Sequence, residues 1–325
     1  MNLQQLKTVC EIAQRRFSMS AAAAALHRSQ PALSRQIAEL ENELGVRIFS
    51  RTRNKIVGLT LQGEEILAIG QRITREADAL RHIGTAKGDV TAELRIATTH
   101  THARYALPWV IKQFTEEWPQ VVLNLRQGNP AQCFHLIAGG EADVGITVEI
   151  ERIPRDIVTV PIFKLARCVL APRGHPIRRG KLTLRRIAEY PIIAYSQPPD
   201  WKWLFGGVFT EAELKPRVVL SALDADVSKI YVSMGIGIAV LATLAYDPTR
   251  DSDLIAIDAD HLFRPGVLTL VFRKGAYVSR HTYAFLSAFC PHIDSDFIQR
   301  CVDGVPFDRN QLLKKIPLTK HFKDH

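Results

Sequence analysis

Hydroxyl and imidazole side chains are concentrated in one short stretch of the chain, ATTHTHARYALP at residues 97–108. Thr99, Thr101 and His102 follow a strand-like apolar segment and precede a predicted helix at residues 106–118. Such a turn combines hydroxyl donors, free backbone N–H groups and the positive end of a helix dipole, which together suit a small oxyanion. The alternative is that one threonine caps the helix and the other residues are incidental.

A second polar set lies at residues 29–36, near the N-terminus. Ser29 is a candidate N-cap, and Pro31 fits the first turn of a helix that we expect to reach residue 44. Its inward positions are Leu33, Ile37, Leu40 and Leu44. The opposite face is polar over its first half and presents Gln30, Pro31, Ala32, Ser34, Arg35 and Gln36. Arginine pairs with guanine, glutamine pairs with adenine, and an alanine methyl can meet thymine, so this face predicts a helix that enters a major groove.

Two earlier helices would support that third helix. Periodic apolar residues predict the first from residue 3 to about residue 15. Ser18 or Ser20 can cap the second, an alanine-rich helix at residues 21–26 whose small side chains allow close packing. This order of elements predicts a helix-turn-helix.

A basic hairpin is expected to follow. We predict a strand at 46–49, a basic turn at 51–55 and a strand at 56–59. Arg51 and Arg53 would contact phosphates, which position a protein on DNA without distinguishing its sequence. Residues 1–59 are therefore predicted to form a winged helix-turn-helix. The alternative is a three-helix packing module with a solvated basic loop.

A long helix is predicted from Thr60, a candidate N-cap, to about residue 84. Its apolar stripe consists of Ile66, Ile69, Ile73, Ala77 and Leu80. This spacing is typical of a seam between two helices, and two winged helices joined by a seam would bind a pseudo-palindromic site. We therefore predict a linker and dimerisation helix with a hinge at residues 60–90. The alternative is a helix that packs on its own domain.

The remainder of the chain alternates strand-like runs with helical periods, as in an α/β architecture. We expect two lobes within residues 91–305. The first is predicted at about 91–163 and 267–300, and the second at 164–266. The lysine-rich residues 306–325 are predicted to form a mobile basic tail. The expected fold class is α+β multidomain.

Composition limits the function classes. The chain has 325 residues, 46% of them hydrophobic, and no apolar run approaches the roughly 20 residues of a membrane span. A signal-peptide pattern is not found at the N-terminus, so we expect a cytoplasmic protein. Its five cysteines are scattered and contain no CxxC pair, which predicts neither a disulfide framework nor a metal site. Nine Lys and Arg against four Glu in residues 1–60 place more than half of the net charge of +9 there, which favours a polyanionic partner.

The stretch AAAAALHRSQPALSRQIAELENELGVRIFSRTRNKIVGLTLQGEEIL resembles the signature of the LysR-type transcriptional regulators. The alanine-rich helix, SQPALS-x-Q-I, LE-x-ELG, F-x-R and T-x-x-GE follow in the order that this family shows. The resemblance implies that Ser29, Gln30, Pro31, Ala32, Ser34, Arg35 and Gln36 contact DNA, with Arg51 and Arg53 in the wing. It also implies a two-lobed effector domain that resembles the periplasmic binding proteins.

Later motifs resemble the CysB and Cbl subgroup of that family, which controls sulfur assimilation. They are IATTHTHARYALP, NPAQ, DADVSKIYVSMGIGIAVLA and FCPH. The resemblance implies that Thr99 and Thr101 bind sulfate or an acetylserine-type effector, and that no further cofactor is needed. His102 stands where the subgroup has glutamine and Val148 where it has threonine. A stretch that begins at Ser196 replaces a loop rich in glycine and threonine.

These departures leave the effector open. A general cysteine regulator and a paralogue that senses another sulfur metabolite, or controls organosulfur use, fit equally. His102 would form a hydrogen-bonding wall of the site, or a cation if it were protonated. Asp226 begins a helix, where carboxylates act as caps, and it also borders the expected cleft.

Three function classes compete for this sequence. A solute-binding protein would need an export signal and no helix-turn-helix, and an enzyme would need a catalytic constellation that we do not find. A regulator needs neither an export signal nor a catalytic constellation. We therefore expect a non-enzymatic regulator with promoter DNA and a small anion as partners. It would form a homodimer through the linker helix and a homotetramer, with RNA polymerase as a further candidate partner and no membrane contact.

Overall fold

The computed structural model describes residues 1–53, 55–84, 92–150, 152–194 and 207–319. The chain divides into two compact units. One comprises Met1–Ala92 with Gly139–Glu141, and the other comprises Glu93–Ala138 and the chain from Ala142 onward. Within the described residues, no helix combines the length and the apolar character that crossing a membrane requires.

The first unit is a winged helix-turn-helix followed by a long helix. Its elements are α1 (Leu3–Gln14), α2 (Met19–Ala25), α3 (Gln30–Leu44), β1 (Phe49–Thr52), β2 (Lys55–Leu59) and α4 (Leu61–Gly84). Ser18 caps α2 and Ser29 caps α3, as the sequence predicts. The buried alanines Ala22 and Ala23 join the core that α1 and α3 share.

The apolar stripe of α3 is shorter than its spacing predicts. Leu33, Ile37 and Leu40 are buried, but Leu44 is 39% exposed. The prediction that Leu44 faces inward is wrong, because the buried residue of that last turn is Glu41. The Glu41 carboxylate, which accepts hydrogen bonds from the loop after α3, is buried where Leu44 was expected.

The start of α4 is fixed by a close backbone contact. Thr60 Oγ1 accepts a hydrogen bond from Gly63 N at 2.9 Å, which confirms the predicted cap. A Cβ atom on Gly63 would lie 2.0 Å from the carbonyl oxygen of Ile48, so only glycine fits there. One face of α4 packs within this unit, where Gly70 lies against Leu6 and Cys10.

The second unit holds two β-sheets, which confirms the predicted two-lobed α/β architecture. A six-stranded sheet has the order β13-β6-β12-β5-β3-β4. Its strands are β3 (Ala92–Thr98), β4 (Val121–Gln127), β5 (Val144–Val148), β6 (Ile157–Leu165), β12 (Gly266–Arg273) and β13 (Leu318–Thr319). The late strand β12 pairs with β5 and β6, so the chain returns to the first lobe as expected.

A five-stranded sheet with the order β11-β7-β10-β8-β9 forms the second lobe. Its strands are β7 (Arg167–Pro172), β8 (Pro191–Ala194), β9 (Arg217–Ser221), β10 (Ile238–Ala242) and β11 (Leu254–Asp258). The α-helices of this unit are α5 (His100–Tyr105), α6 (Pro108–Glu117), α7 (Pro130–Ala138), α8 (Leu184–Ala188), α9 (Val208–Glu211), α10 (Ala225–Ser233), α11 (Arg280–Phe289), α12 (Ser295–Val302) and α13 (Arg309–Lys315).

The C-terminal residues pack on the first lobe as far as Thr319. Helix α13 is followed by β13, which pairs in parallel with β6. The Arg309 guanidinium donates two hydrogen bonds to the Glu149 carboxylate, at 2.6 and 2.5 Å, and Ile316 is 3% exposed. As far as Thr319 this segment therefore packs on the sheet, which corrects the prediction of a mobile tail from residue 306 for the described part.

Candidate DNA-binding surface and effector site

The first half of α3 carries an exposed polar edge. Gln30, Pro31, Ser34 and Arg35 are exposed, and Ala32 is half-buried. On the other side of the same helix Leu33 and Ile37 are almost fully buried. The helix therefore holds its polar edge in solvent by anchoring the opposite face in the core, as docking into a major groove requires.

Gln36 has a packing role in addition to the predicted base contact. Its Oε1 accepts a hydrogen bond from the Thr8 hydroxyl at 2.7 Å, and Thr8 is 1% exposed. This bond ties α3 to α1. The position of the exposed polar edge of α3 therefore depends on α1 as well as on the residues of α3.

The wing is a two-stranded antiparallel hairpin. Phe49 pairs with Leu59 and Thr52 with Lys55, so the turn follows Thr52. Arg53 in this turn is exposed and has φ +48°, the left-handed conformation that tight hairpin turns require. Arg53 thus projects from the tip. Arg51, which we expected in the turn, lies within β1 instead.

Glu41 joins α3 to the wing and explains why no strand forms at residues 46–48. Its Oε1 accepts hydrogen bonds from Ile48 N at 2.9 Å and Phe49 N at 3.2 Å. Its Oε2 lies 3.1 Å from Arg47 Nη1 and 3.6 Å from Arg51 Nη2. The chain bends around this buried carboxylate before β1 begins, so the predicted strand start at residue 46 is wrong by three residues.

The threonine turn lies at the end of β3. Thr99 caps α5: its Oγ1 accepts from His102 N at 3.4 Å and lies 2.8 Å from His102 Nδ1. Helix α5 has only six residues and ends before α6, so the single helix predicted at 106–118 is preceded by a separate short one. The dipole of so short a helix is weak, so an anion at this turn would be attracted mainly by the side chains.

His102 is an uncharged member of this turn. Its side chain is buried, with the residue 4% exposed, and Thr101 is 7% exposed. Burial, and secondly the positive charge of Arg167, lower the pKa of His102 to about 4. At neutral pH the imidazole is therefore neutral. This favours the hydrogen-bonding wall over the cation among the two roles that the sequence left open.

Val148 lies at the same edge of the sheet as this turn. Strands β3 and β5 are parallel, with Thr98 paired to Ile146 and the Thr98 hydroxyl donating to the Ile146 carbonyl at 2.8 Å. Their carboxyl ends therefore meet, and Val148 is half-buried there. Ser196 lies outside the described residues. Among the described residues, no group of three or more His, Cys, Asp or Glu side chains could hold a metal ion.

Asp226 joins the two lobes. Its Oδ1 accepts from the Tyr105 hydroxyl at 2.5 Å, and its Oδ2 lies 3.2 Å from Arg104 Nε. Lys229 Nζ donates to the Tyr105 hydroxyl at 2.7 Å and to Asp251 at 3.0 Å. This network connects α5 of the first lobe with α10 of the second, a role that the sequence did not indicate for Asp226.

Family models match nearly all of this architecture. Residues 3–64 match the bacterial regulatory helix-turn-helix of the lysR family, and residues 87–291 match the LysR substrate binding domain. The chain belongs to the LysR family. It is therefore a DNA-binding transcriptional regulator, and α3 lies within the matched helix-turn-helix.

Relatives within the LysR family span nearly the whole chain. The chain is 44% identical over 297 residues to the HTH-type transcriptional regulator SsuR of Burkholderia cenocepacia, covering 90% of this chain and 96% of SsuR. It is 36% identical to CysB of the same species, covering 94% of this chain and 98% of CysB. It is 37% identical to cbl of Escherichia coli K12, covering 93% and 96%. All three are named as regulators rather than enzymes.

Solved structures of LysR regulators share the fold. The cofactor-binding domain of the Cbl transcriptional regulator matches with a TM-score of 0.61 and 35% identity, covering 66% of this chain and 97% of that domain. Full-length CbnR complexed with its target DNA matches with a TM-score of 0.60 and 23% identity, covering 90% and 99%. The second likeness shows the fold alone.

Three residues of this LysR regulator escaped the sequence analysis. The sequence analysis assigned no role to Glu41, Arg167 or Lys229. Each acts on a residue distant in sequence, which no local spacing indicates. Two charged residues, Lys164 and Arg167, interrupt the apolar run at residues 160–172, and this interruption is the signal in the sequence that points to Arg167.

Proposed function

We propose that this LysR regulator controls genes of sulfur assimilation or organosulfur use in response to a small anionic effector. The observation that supports its DNA contact is the exposed polar edge of α3, anchored by Leu33 and Ile37. Gln30, Ser34 and Arg35 would contact bases there, while Arg53 at the wing tip contacts phosphate. The protein would act in the cytoplasm, where promoter DNA is found.

Two exposed apolar rows support the proposed homotetramer. On α4, Ile69 is 45% exposed and Leu80 69% exposed, on a face that does not pack in its own unit. On α10, Ile230 is 58% exposed and Met234 67% exposed, in a row with Val227. A seam along α4 would make the DNA-binding dimer, and a second contact along α10 would join dimers into a tetramer.

The sulfur-related role rests on resemblance to SsuR, CysB and cbl and on the chemistry of the threonine turn. Thr99, Thr101 and His102 bring hydroxyl and imidazole groups to one edge of the six-stranded sheet. Sulfate, an acetylserine or a related metabolite would bind there between the lobes. Because α5 carries this turn at one end and the Tyr105–Asp226 contact at the other, effector binding would favour one lobe arrangement over another.

Arg35→Ala tests the DNA contact. A duplex selected from a random library by the full-length protein supplies the specific site, and a scrambled duplex of equal length supplies the nonspecific one. We expect the substitution to weaken binding to the selected duplex about 10-fold to 100-fold, because a guanine contact contributes about 1–3 kcal/mol. Binding to the scrambled duplex should weaken much less. Fluorescence anisotropy at fixed salt measures both.

Arg179→Ala is the matched control, since it removes the same charge from an exposed position of the other unit. It should leave the ratio of the two affinities unchanged. Equal losses on both duplexes for Arg35→Ala would reduce Arg35 to a phosphate contact. No loss on either duplex would remove this edge from the DNA interface.

A further inference from the structure

The second lobe carries a basic segment, residues 173–189, which connects β7 to β8. Strand β7 is antiparallel to β10 and β8 is parallel to it, so β7 ends and β8 begins at the same edge of the five-stranded sheet. The end of β10 lies at the opposite edge, and Thr243–Ala245, which follow it, contact α5. The basic segment therefore lies at the edge of this sheet away from the threonine turn.

This segment and the helix-turn-helix account for the net positive charge of the chain. Residues 173–189 contain six Arg and Lys and one Glu, a net charge of +5. Residues 1–60 also have a net charge of +5, and the whole chain has +9, so all other residues together sum to −1. Positive charge is therefore concentrated in two places, one of which is the helix-turn-helix.

Four exposed cations of this segment form what we call the basic patch: Arg178, Arg179, Lys181 and Arg185. Among the described residues, no carboxylate forms an ion pair with any of the four. The one acid of the segment, Glu189, is exposed beyond the end of α8. Arg173 is not part of the patch, because its backbone N and its guanidinium donate to the Asp253 and Ser252 carbonyls.

The loop that carries the basic patch is held in place by the core and by a further arginine. Three residues that alternate with the cations are buried in the core of the second lobe: Ile177, Leu182 and Ile187. The Arg186 guanidinium donates to the Lys181 carbonyl at 2.9 Å and to the Ile177 carbonyl at 3.2 Å. Because these contacts order the loop in advance, the patch loses little conformational freedom when it binds a partner.

The basic patch and α10 lie on opposite faces of the second sheet. The patch segment packs in one core with Val169 and Ile192, whereas α10 packs in another with Leu170 and Ile193. Successive residues of a strand point to opposite faces of its sheet. A contact between copies along α10 would therefore leave the basic patch exposed.

We propose that the basic patch is a second DNA contact, which binds phosphates of the duplex that flanks the site held by the helix-turn-helix. Guanidinium and ammonium groups bind phosphate oxygens without distinguishing sequence. DNA held by the helix-turn-helix keeps its flanking phosphates at a high local concentration, so contacts too weak to hold free DNA still contribute. An acidic protein has no such tether. This contact depends neither on the effector nor on the genes that are controlled.

Two duplexes test the flanking contact with the full-length protein. Both carry the site selected from the random library, and one extends it by about four helical turns, roughly 40 bp, of scrambled sequence on each side. The patch variant replaces all four cations with glutamine: Arg178→Gln, Arg179→Gln, Lys181→Gln and Arg185→Gln. We expect it to bind the extended duplex about 10-fold more weakly than the unmodified protein, and the short duplex within about 2-fold.

The salt dependence of binding counts the phosphates that are contacted. Each neutralised phosphate adds about 0.9 to the slope of log affinity against log salt concentration. On the extended duplex, the patch variant should therefore lower the magnitude of that slope by roughly 2–3.5. A variant with Arg178→Lys, Arg179→Lys and Arg185→Lys keeps the charge and should retain the slope.

The matched control removes the same four charges from the first lobe. Its substitutions are at four exposed cations, three Arg and one Lys as in the patch: Lys112→Gln, Arg126→Gln, Arg152→Gln and Arg155→Gln. We expect it to bind the extended duplex within about 2-fold of the unmodified protein, because charges outside a contact are screened by salt. The thermal midpoint of each variant without DNA shows whether it is folded.

Three outcomes would overturn the proposal. Equal losses for the patch variant and the control would reduce the effect to net charge. Equal losses on the short and the extended duplex would exclude a contact with flanking DNA. No loss on either duplex would refute the DNA contact and leave an acidic protein as the partner of the patch. The duplexes of the Arg35→Ala experiment have equal length, so a phosphate contact by Arg179 cancels in their ratio.

Discussion

At the scale of single residues, His102 is the clearest case of an environment that changes the chemistry of a side chain. Imidazole normally titrates near pH 6.5, but burial and the Arg167 charge lower the pKa of His102 to about 4. The neutral ring forms a hydrogen bond between its Nδ1 and Thr99 Oγ1. Near neutral pH the imidazole therefore adds no positive charge to the threonine turn.

This pKa shift predicts a pH-dependent stability. Since the pKa of His102 is lower in the folded than in the unfolded chain, its contribution is complete above pH 6.5 and is lost as the pH falls towards 4. Between pH 7 and pH 5 we expect the free energy of unfolding of the second unit to fall by about 2 kcal/mol through this residue. His175 and His281 also have lowered pKa values, so the comparison must be with His102→Gln, which lacks only this part of the loss.

Urea unfolding followed by tryptophan fluorescence measures this loss, because all four tryptophans lie beyond residue 92 and report on the second unit. The free energy of unfolding of the unmodified protein should fall more steeply with pH than that of His102→Gln. Parallel pH curves for the two proteins would show that the imidazole titrates normally.

At the scale of elements, α4 has two apolar faces where the sequence suggested one. Ile66 packs with Leu67 against the core of the first unit, while Ile69, Ile73 and Leu80 are exposed. The two interpretations of this helix, a seam for a partner and a helix on its own domain, therefore each describe one face. The stripe predicted from spacing alone combined residues of both faces, because it included Ile66, which packs inward, with the exposed Ile69, Ile73 and Leu80.

The exposed face of α4 predicts a change in assembly. Ile69→Ser combined with Ile73→Ser should weaken the seam by about 3 kcal/mol or more, because each buried isoleucine contributes about 1.5–3 kcal/mol and symmetry applies both changes twice. We expect the largest species in sedimentation velocity to change from a tetramer to a dimer held by α10.

Leu61→Ser is the control for this experiment. Leu61 is 81% exposed at the start of the same helix, outside the proposed seam. Its substitution should leave the sedimentation profile unchanged. If the double variant sediments like the unmodified protein over the same concentrations, α4 is not the seam.

At the scale of the whole molecule, the C-terminal segment as far as Thr319 is part of the second compact unit. Helix α13 and β13 extend the six-stranded sheet through the parallel contact with β6, and Arg309 pairs with Glu149. We expect Ile316→Ala to lower the free energy of unfolding of this unit by about 2–4 kcal/mol, because it leaves a cavity.

Leu318→Ala provides the comparison, since Leu318 lies two residues away and is 50% exposed. It should cost less than about 1 kcal/mol in the same urea experiment. Similar costs for both variants, or none for either, would mean that this segment does not stabilise the sheet.

Local sequence was sufficient for elements whose formation depends on neighbouring residues. Ser18, Ser29 and Thr60 cap helices at the predicted positions, because a cap is a contact within three residues. The polar edge of α3 and the Thr99 turn follow from the same short-range rules. The motif order that identified the LysR family is likewise a property of the chain alone.

Only the tertiary structure decided which distant groups meet. Glu41 accepts a hydrogen bond from Ile48, seven residues later in the sequence, and Tyr105 donates one to Asp226, 121 residues later. Strand β13, near the end of the chain, pairs with β6. Arg167 comes beside His102 because four strands end at one edge of a sheet. Such contacts depend on strand order and register, which residue types do not encode locally, so they were visible only in the folded chain.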